Sequence, residues 1–151
     1  MLSKRAKYGL RALVYLARHQ GEGPIQIREI SEKLNIPRKF LEAILLDLRN
    51  EGMLQSRKGK LGGYYMERSP DTIQLGRIIR FIDGPLAGVP CVSHTAYARC
   101  DDCPDEKTCV IRLIMRDVRD ATAQILDQTT LDNLVTKAEL LGKKPELEYQ
   151  I

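Results

Sequence analysis

The sequence predicts a mainly α protein with one small β-hairpin, arranged as a winged helix-turn-helix followed by a long C-terminal dimerisation helix. Three observations support this fold class. Apolar residues recur every three to four positions in several segments, which is the period of amphipathic helices. Two short strand candidates flank a basic, glycine-rich turn at residues 57–63. A later apolar run, residues 110–125, repeats close to the 3.5-residue spacing of a coiled-coil seam.

Composition and charge indicate a globular chain with two unlike halves. Its 151 residues suffice for one core, or for a compact domain with an appendage, and the 43% hydrophobic and 29% charged fractions are ordinary. Residues 1–68 carry 14 Lys/Arg and 7 Asp/Glu, a balance of +7, whereas residues 69–151 carry 10 and 13, a balance of −3. This asymmetry favours a polyanion-binding first half, although a solvated basic face explains the charge alone equally well.

The N-terminal residues indicate the compartment. Lys4, Arg5 and Lys7 interrupt any apolar run there, so we expect neither a secretory signal nor a membrane span. The expected location is cytoplasmic. Thiols are kept reduced in the cytosol, which argues against structural disulfides.

Three helices are predicted in the first fifty residues. The first spans Ser3–His19, with Ser3 as its N-cap, and Gly21–Pro24 ends it. The second spans Ile25–Leu34, and a third, Arg38–Glu51, begins just after Pro37. Two short helices joined by a tight turn are typical of a helix-turn-helix, although helical hairpins that bind nothing share the pattern.

The third helix is amphipathic, and its two faces have different expected roles. The inward face is predicted to hold Phe40, Leu41, Ile44, Leu45 and Leu48. The outward face is predicted to hold Arg38, Lys39, Glu42, Ala43 and Asp47. A polar face that opens with Arg-Lys suits a helix that enters a DNA groove.

A β-hairpin is predicted directly after these helices. Its strands are Met53–Ser56 and Tyr64–Met66, and its tip is the basic turn Arg57–Gly63. Glycines allow the backbone to approach phosphates closely, and the Lys and Arg side chains neutralise them. Beside a helix-turn-helix such a hairpin is a wing, although a plain solvated turn is the alternative.

The second half contains more helix and one long irregular loop. A fourth helix is predicted over Ile73–Asp83, followed by a loop to Thr108. A fifth helix begins at Asp105 or Thr108 and ends near Asp127, and a short last helix runs from Thr129–Thr130 to about Val135. The apolar seam of the fifth helix consists of Val110, Ile114, Val118, Ala121 and Ile125. The length of this seam favours a partner helix from a second copy of the chain.

All four cysteines of the chain fall in the loop, at Cys91, Cys100, Cys103 and Cys109. Thiolates gathered in this way need each other or a soft metal centre as a partner. The pattern fits an iron–sulfur cluster (two-iron or four-iron), a structural zinc, a thiol–disulfide switch or inert cysteines. Only one Cys-x-x-Cys pair is present, whereas zinc knuckles use two, so we favour the cluster. His94 is a weaker candidate ligand.

These observations divide the chain into five predicted segments. They are a DNA-binding region (1–68), a connecting helix and linker (69–90), a cluster-binding loop (91–109), dimerisation helices (110–137) and a tail (138–151).

Several runs together resemble the IscR/NsrR family of bacterial winged-helix regulators (the Rrf-two family), over nearly the whole chain to about residue 140. The runs are Lys7–Leu13, Ile27–Ser31, Phe40–Glu42, Lys58–Tyr64 and Thr108–Arg112 with Met115–Val118. The resemblance implies a homodimer that binds specific DNA sequences and, in sensor members, an iron–sulfur cluster on three cysteines and one other ligand.

The resemblance also assigns individual cysteines. The five residues between Cys103 and Cys109 match the last two ligand cysteines of the family, and Cys91 fits the first, across a longer loop. Cys100 is an additional thiol. Some members have a histidine ligand three residues after the last cysteine, where this chain has Arg112.

The predicted function is therefore a homodimeric transcription regulator whose affinity for its operator depends on a redox-, nitric oxide- or iron-responsive cluster. The expected DNA contacts are Lys4, Arg5, Tyr8, Arg28, Arg38, Lys39, Glu42, Arg57, Lys58 and Lys60. Glu42 suits a cytosine amino group, and the cations suit guanine edges or phosphates. The rivals are a winged-helix regulator with zinc or a thiol switch, and a small iron–sulfur electron carrier. No enzyme motif is present.

Overall fold

The computed structural model describes residues 2–143, with no side-chain detail for Lys143. Six helices and one two-stranded antiparallel sheet follow one another in these residues. The helices are α1 (Lys4–Arg18), α2 (Ile27–Leu34), α3 (Arg38–Asn50), α4 (Leu75–Asp83), α5 (Val110–Gln128) and α6 (Leu131–Lys143). The strands are β1 (Leu54–Arg57) and β2 (Gly63–Met66), and single 3-10 turns lie at Pro70–Thr72 and Pro90–Val92. The predicted fold class, a mainly α winged helix-turn-helix with a long helix near its C-terminus, is confirmed.

The core lies among α1, α2, α3, the hairpin and the ends of α4 and α6. It consists mainly of aliphatic side chains, as a sequence without tryptophan requires. Its fully buried large members include Leu13, Leu16, Ile30, Ile36, Leu41, Leu45, Leu48, Met53, Leu54, Ile73, Ile78 and Leu131. Four of the five residues predicted for the inner face of α3 are buried. The fifth, Phe40, is 60% exposed, so its assignment to the core is wrong.

Several predicted helix ends need correction, each for a local reason. Helix α2 begins at Ile27, because the backbone of Ile25 exchanges two 2.8 Å hydrogen bonds with that of Tyr64 and extends the hairpin. Helix α4 begins at Leu75 instead of Ile73, after the turn that starts at Pro70. The fifth helix begins at Val110, later than either predicted start.

The last helix is longer than predicted and is anchored in the core of its own protomer. It continues to Lys143 instead of ending near Val135, and its first residue, Leu131, is fully buried in the core of the same protomer. Within the protomer α6 packs on α1, and the assignment of residues 110–137 as dimerisation helices stays a prediction. Residues 138–143, predicted as tail, are helical, and the remainder of the predicted tail lies outside the described residues.

Helix α5 differs from the other helices because none of its residues is buried. Its apolar residues Val110, Ile114, Val118 and Ile125 are all exposed, with Ile114 at 58%. These four positions and Ala121 are the predicted seam. An apolar stripe of this length without a partner in its own protomer is typical of an interaction surface.

Candidate functional site

The outward face of α3 carries the charged side chains predicted to read DNA. Arg38 and Glu42 are one helical turn apart and form an exposed ion pair, with Nε and Oε1 separated by 2.9 Å. Lys39 and Phe40 are also exposed. The missed residue here is Phe40. Its position directly after Arg38 and Lys39, in the first turn of the helix, was the available signal.

Other predicted DNA contacts already have partners within the protomer. Lys4, Arg5 and Arg28 are exposed, whereas Tyr8 is partly buried against the core. Arg5 pairs with Asp47 of α3, and Arg28 Nε lies 2.9 Å from Glu32 Oε1. The Arg28 pair is largely solvent-exposed, so it contributes little to stability and a phosphate can replace the carboxylate at small cost. The ammonium of Lys4 lies 6.0 Å from the ring centroid of Tyr8, at the outer limit of a cation–π contact.

The hairpin presents Arg57, Lys58 and Lys60 to solvent, as predicted for a wing. Its turn is tight at Gly62, where a Cβ atom would overlap the carbonyl group of Arg57. Gln26 Nε2 donates a 2.8 Å hydrogen bond to the carbonyl oxygen of Lys60 and ties the tip to the start of α2. The basic tip is therefore held at a fixed position relative to the helix-turn-helix.

All four cysteines line one cavity of about 220 Å3 at the N-terminal end of α5. Its other lining residues are Val89, Asp102, Pro104, Ile111 and Arg112. The four thiols are free: Cys91 is buried and the other three are partly exposed. Residues far apart in an irregular loop have thus been brought to one place, whereas His94 does not line this cavity.

Local structure explains how each thiol reaches the cavity. Cys91 lies on the 3-10 turn Pro90–Val92, and the backbone of Cys103 donates a 3.2 Å hydrogen bond to the carbonyl of Cys100 in a tight turn. Cys109 is the N-cap of α5, where its sulfur accepts from the backbone N–H of Arg112 at 3.5 Å.

The residues around the cavity also affect one another. A hydrogen bond with Cys91, together with partial desolvation, raises the pKa of the Cys100 thiol. Arg112 Nε lies 3.4 Å from the carbonyl oxygen of Cys91, so the residue at the position of the family's histidine binds backbone instead. Tyr97 donates a 2.6 Å hydrogen bond to Glu106, which closes the loop and raises the tyrosine pKa.

The donor chemistry fits a soft metal centre, because four thiols at one cavity are the usual ligand set for iron–sulfur clusters and for zinc. Among residues 2–143, however, no three His, Cys, Asp or Glu side chains converge closely enough to hold a single metal ion. The arrangement therefore brings the thiols together without forming a closed tetrahedral site.

Comparison with known proteins decides the family. The model of the Rrf2 family, described as iron-dependent transcriptional regulator, matches residues 2–137. The chain belongs to the Rrf2 family. The resemblance predicted from the sequence is thereby confirmed, and the chain is a winged-helix transcriptional regulator, the class of its named relatives.

Three relatives illustrate the range within this Rrf2 group. The chain is 38% identical to an Rrf2-like HTH-type regulator of Rhodobacter capsulatus, over 95% of this chain and 97% of the relative. The solved structure of CymR, the global cysteine regulator of B. subtilis, has a TM-score of 0.74 at 33% identity and covers 91% of this chain and 97% of its own. The structure of T. potens IscR has a TM-score of 0.75 at 28% identity, and the match covers 96% of this chain and 93% of the IscR chain.

No helix among residues 2–143 combines the length and the apolar character that crossing a membrane requires.

Proposed function

We propose that this Rrf2 regulator is a homodimer that binds a double-stranded operator, and that an iron–sulfur cluster in the cysteine loop controls its affinity. One observation carries the proposal: the four thiols line a single cavity at the end of the one helix whose apolar face has no partner among the described residues. A sensor and a dimer surface therefore share α5.

The dimer part of the proposal depends on the exposed seam of α5. Two copies that pack along Val110, Ile114, Val118 and Ile125 would remove these side chains from water. Each α3 would then face DNA from one half of a two-fold assembly, the arrangement by which helix-turn-helix dimers read successive grooves.

The proposed DNA contacts divide into two classes. Arg38, Lys39 and Glu42 lie on the outward face of α3 and suit base edges in the major groove. The wing cations Arg57, Lys58 and Lys60, together with Lys4, Arg5, Tyr8 and Arg28, suit the phosphate backbone and position the protein. Arg5 and Arg28 exchange a carboxylate partner for a phosphate on binding.

In the loop, Cys91, Cys100, Cys103 and Cys109 would hold the cluster. Bound there, the cluster supplies a redox-active inorganic centre that oxygen, nitric oxide or iron shortage can remove. The residues of the chain hold the loop against α5: Cys109 caps the helix, and Arg112 donates to the backbone of Cys91. The conformation of the loop then determines how the N-terminal part of α5 is supported.

A second candidate is a thiol switch without metal. The convergence of four free thiols at one cavity favours it, because neighbouring thiols can be joined in a disulfide by an oxidant. The similarity to CymR, the global cysteine regulator of B. subtilis, also supports this candidate. A structural zinc on the same four thiols is a further alternative.

Anaerobic purification with absorption spectroscopy and iron and acid-labile sulfide analysis separates these candidates. The proposal predicts a brown protein with iron and sulfide in similar amounts, both lost in Cys103→Ala and retained in His94→Ala. The histidine variant is the matched control, since His94 lies in the same loop but outside the cavity. Colourless protein that contains zinc, or metal-free protein with a Cys91–Cys100 disulfide after mild oxidation, contradicts the cluster.

A further inference from the structure

An Arg–Asp pair fixes the C-terminal end of α5 to α4. Arg80 Nη1 and Nη2 donate to Asp127 Oδ1 and Oδ2 at 2.6 and 2.9 Å, a bidentate arrangement that sets orientation as well as distance. The hydrogen bonds raise the pKa of Arg80 and lower that of Asp127. Both groups therefore stay charged throughout the neutral pH range.

The surrounding backbone is shaped for this pair. A Cβ atom at Gly76 would overlap the carboxylate of Asp127, so only glycine lets that carboxylate lie over the first turn of α4. Directly beyond Asp127, the N–H of Leu75 donates to the carbonyl of Thr129, and the N–H of Leu131 to the carbonyl of Ile73, both at 2.8 Å. We call Arg80, Asp127 and Gly76 the α4–α5 joint.

Helix α4 is in turn fixed to the DNA-reading half of the chain, which consists of α1–α3 and the hairpin and is called the reader below. Ile78 is fully buried in the core and fixes α4 there. Arg77 Nη2 also lies 3.1 Å from Glu51 Oε1 at the end of α3, but this ion pair is partly exposed and adds little to the attachment. The N–H of Ser3, the N-cap of α1, donates a 2.8 Å hydrogen bond to Asp83 at the end of α4. Any movement of α4 therefore moves the helices that face DNA.

The opposite end of α5 is held by the cysteine loop. Arg112 donates to the carbonyl oxygen of Cys91, and Arg119 donates to that of Val92. The Arg119 side chain is only 12% exposed, which shows how closely the loop covers this side of the helix. The 19 residues of α5 are roughly 28 Å long, so one rigid element has the thiols at one end and the α4–α5 joint at the other.

We propose that Arg80 and Asp127 are positioning residues that make the orientation of the DNA-reading half depend on the state of the cysteine loop. This inference rests on the proposed function. With the joint intact, a change at the loop end of α5 turns α4 and the reader with it. Without the joint, α5 keeps its packing on α4 and the backbone connection at residues 129–131, but it loses the bidentate contact that sets its orientation and can pivot there. The reader then keeps its own orientation whatever the loop does.

The test measures operator affinity with and without the cluster, using a duplex that the protein selects from a random-sequence pool. For the unaltered chain we expect the two dissociation constants to differ by about tenfold, within the usual range of coupling between sites. In Asp127→Asn and Arg80→Gln the ratio should fall to within about twofold. Arg80→Lys keeps the charge but loses the bidentate geometry, and it should give an intermediate ratio.

Arg77→Gln is the matched control. Arg77 lies on the same helix with similar side-chain exposure, but its partner Glu51 belongs to the reader itself, so this variant should keep the full ratio. Urea unfolding checks that each variant is folded, and Asp127→Asn preserves side-chain shape if Arg80→Gln does not fold.

The outcomes distinguish the two levels of the proposal. A ratio near one in the unaltered chain overturns the proposed function and this inference with it. A clear ratio in the unaltered chain that persists in Asp127→Asn overturns the joint alone. An equal loss in Arg77→Gln also overturns it, because any loosening of α4 would then have the same effect.

Discussion

The exposed seam of α5 gives the most quantitative prediction. We expect Ile114→Ala to weaken the proposed homodimer, because Ile114 is 58% exposed in the protomer and would be covered by the partner helix. Fully burying an isoleucine side chain is worth about 1.5–3 kcal/mol, so covering this exposed fraction is worth about 0.9–1.7 kcal/mol.

In a two-fold dimer each protomer contributes one Ile114, so this loss of free energy occurs twice. The variant should therefore lose about 1.8–3.4 kcal/mol of dimerisation free energy, which corresponds to a roughly 20- to 300-fold higher dimer dissociation constant. Ile114→Asp should lose more, since it also places an unpaired carboxylate in the interface. Within the protomer both changes are at an exposed position, so the unfolding free energy of the monomer should change little.

Sedimentation equilibrium over a concentration series measures the dissociation constant directly. Arg116→Ala is the control, because Arg116 is 51% exposed and lies on the side of α5 away from the seam. Equal dissociation constants for Ile114→Asp and the unaltered chain would show that the seam is not the interface. Equal weakening by Arg116→Ala would show that the effect is not specific to the apolar face.

Three further predictions test other parts of the molecule. Lys58→Ala should weaken binding to all duplexes about equally and reduce the slope of log affinity against log salt by about one, as measured by anisotropy titrations; an unchanged slope would remove Lys58 from the phosphate contacts. Phe40→Ala should lower operator affinity but reduce the unfolding free energy by less than about 1 kcal/mol in urea titrations, whereas a loss of about 3–5 kcal/mol would return Phe40 to the core. Because Arg80 lowers the pKa of Asp127 in the folded state, the pair stabilises the fold fully above the ordinary aspartate pKa and less as the pH falls below it. The stability difference between the unaltered chain and Asp127→Asn should therefore be constant from about pH 5 to 8 and shrink in acid, and a difference that instead changes near neutral pH would contradict the pairing.

The sequence was sufficient for the parts of the fold that depend on local patterns. The 3.6-residue apolar period located all six helices, and the glycine-rich basic turn located the hairpin, because these signals are contained in short windows. Helix starts were less accurate where a tertiary contact decided them. Ile25 directly precedes the apolar pattern of α2 and was predicted as its first residue, but pairing with Tyr64 holds it in an extended conformation.

Phe40 and α6 show two other limits of sequence patterns. Large apolar residues are usually buried, so its size and spacing predicted Phe40 to be inside, although its side chain is 60% exposed beside Lys39. The destination of α6 depends on how the chain turns after α5. The hydrogen bonds between residues 73–75 and 129–131 direct it back to its own core, and these partners are more than fifty residues apart in sequence.

The residues of the candidate site could be predicted from the sequence, but the contacts that connect α5 to α4 could not. Four cysteines within nineteen residues indicated a shared partner, and the structure places all four at one cavity. The α4–α5 joint had no recognisable signal, because an isolated Arg, Asp and Gly at 80, 127 and 76 resemble ordinary surface residues. Only the packing of α4 against α5 brings them together.

Operator affinity measured on one anaerobic preparation, before and after chelation of its iron, tests the central claim most directly. The account predicts that the dissociation constant for the selected duplex changes by about tenfold when iron and sulfide are lost, while the protein stays folded and dimeric. An unchanged dissociation constant after complete loss of iron and sulfide would contradict the control of DNA binding by the cysteine loop.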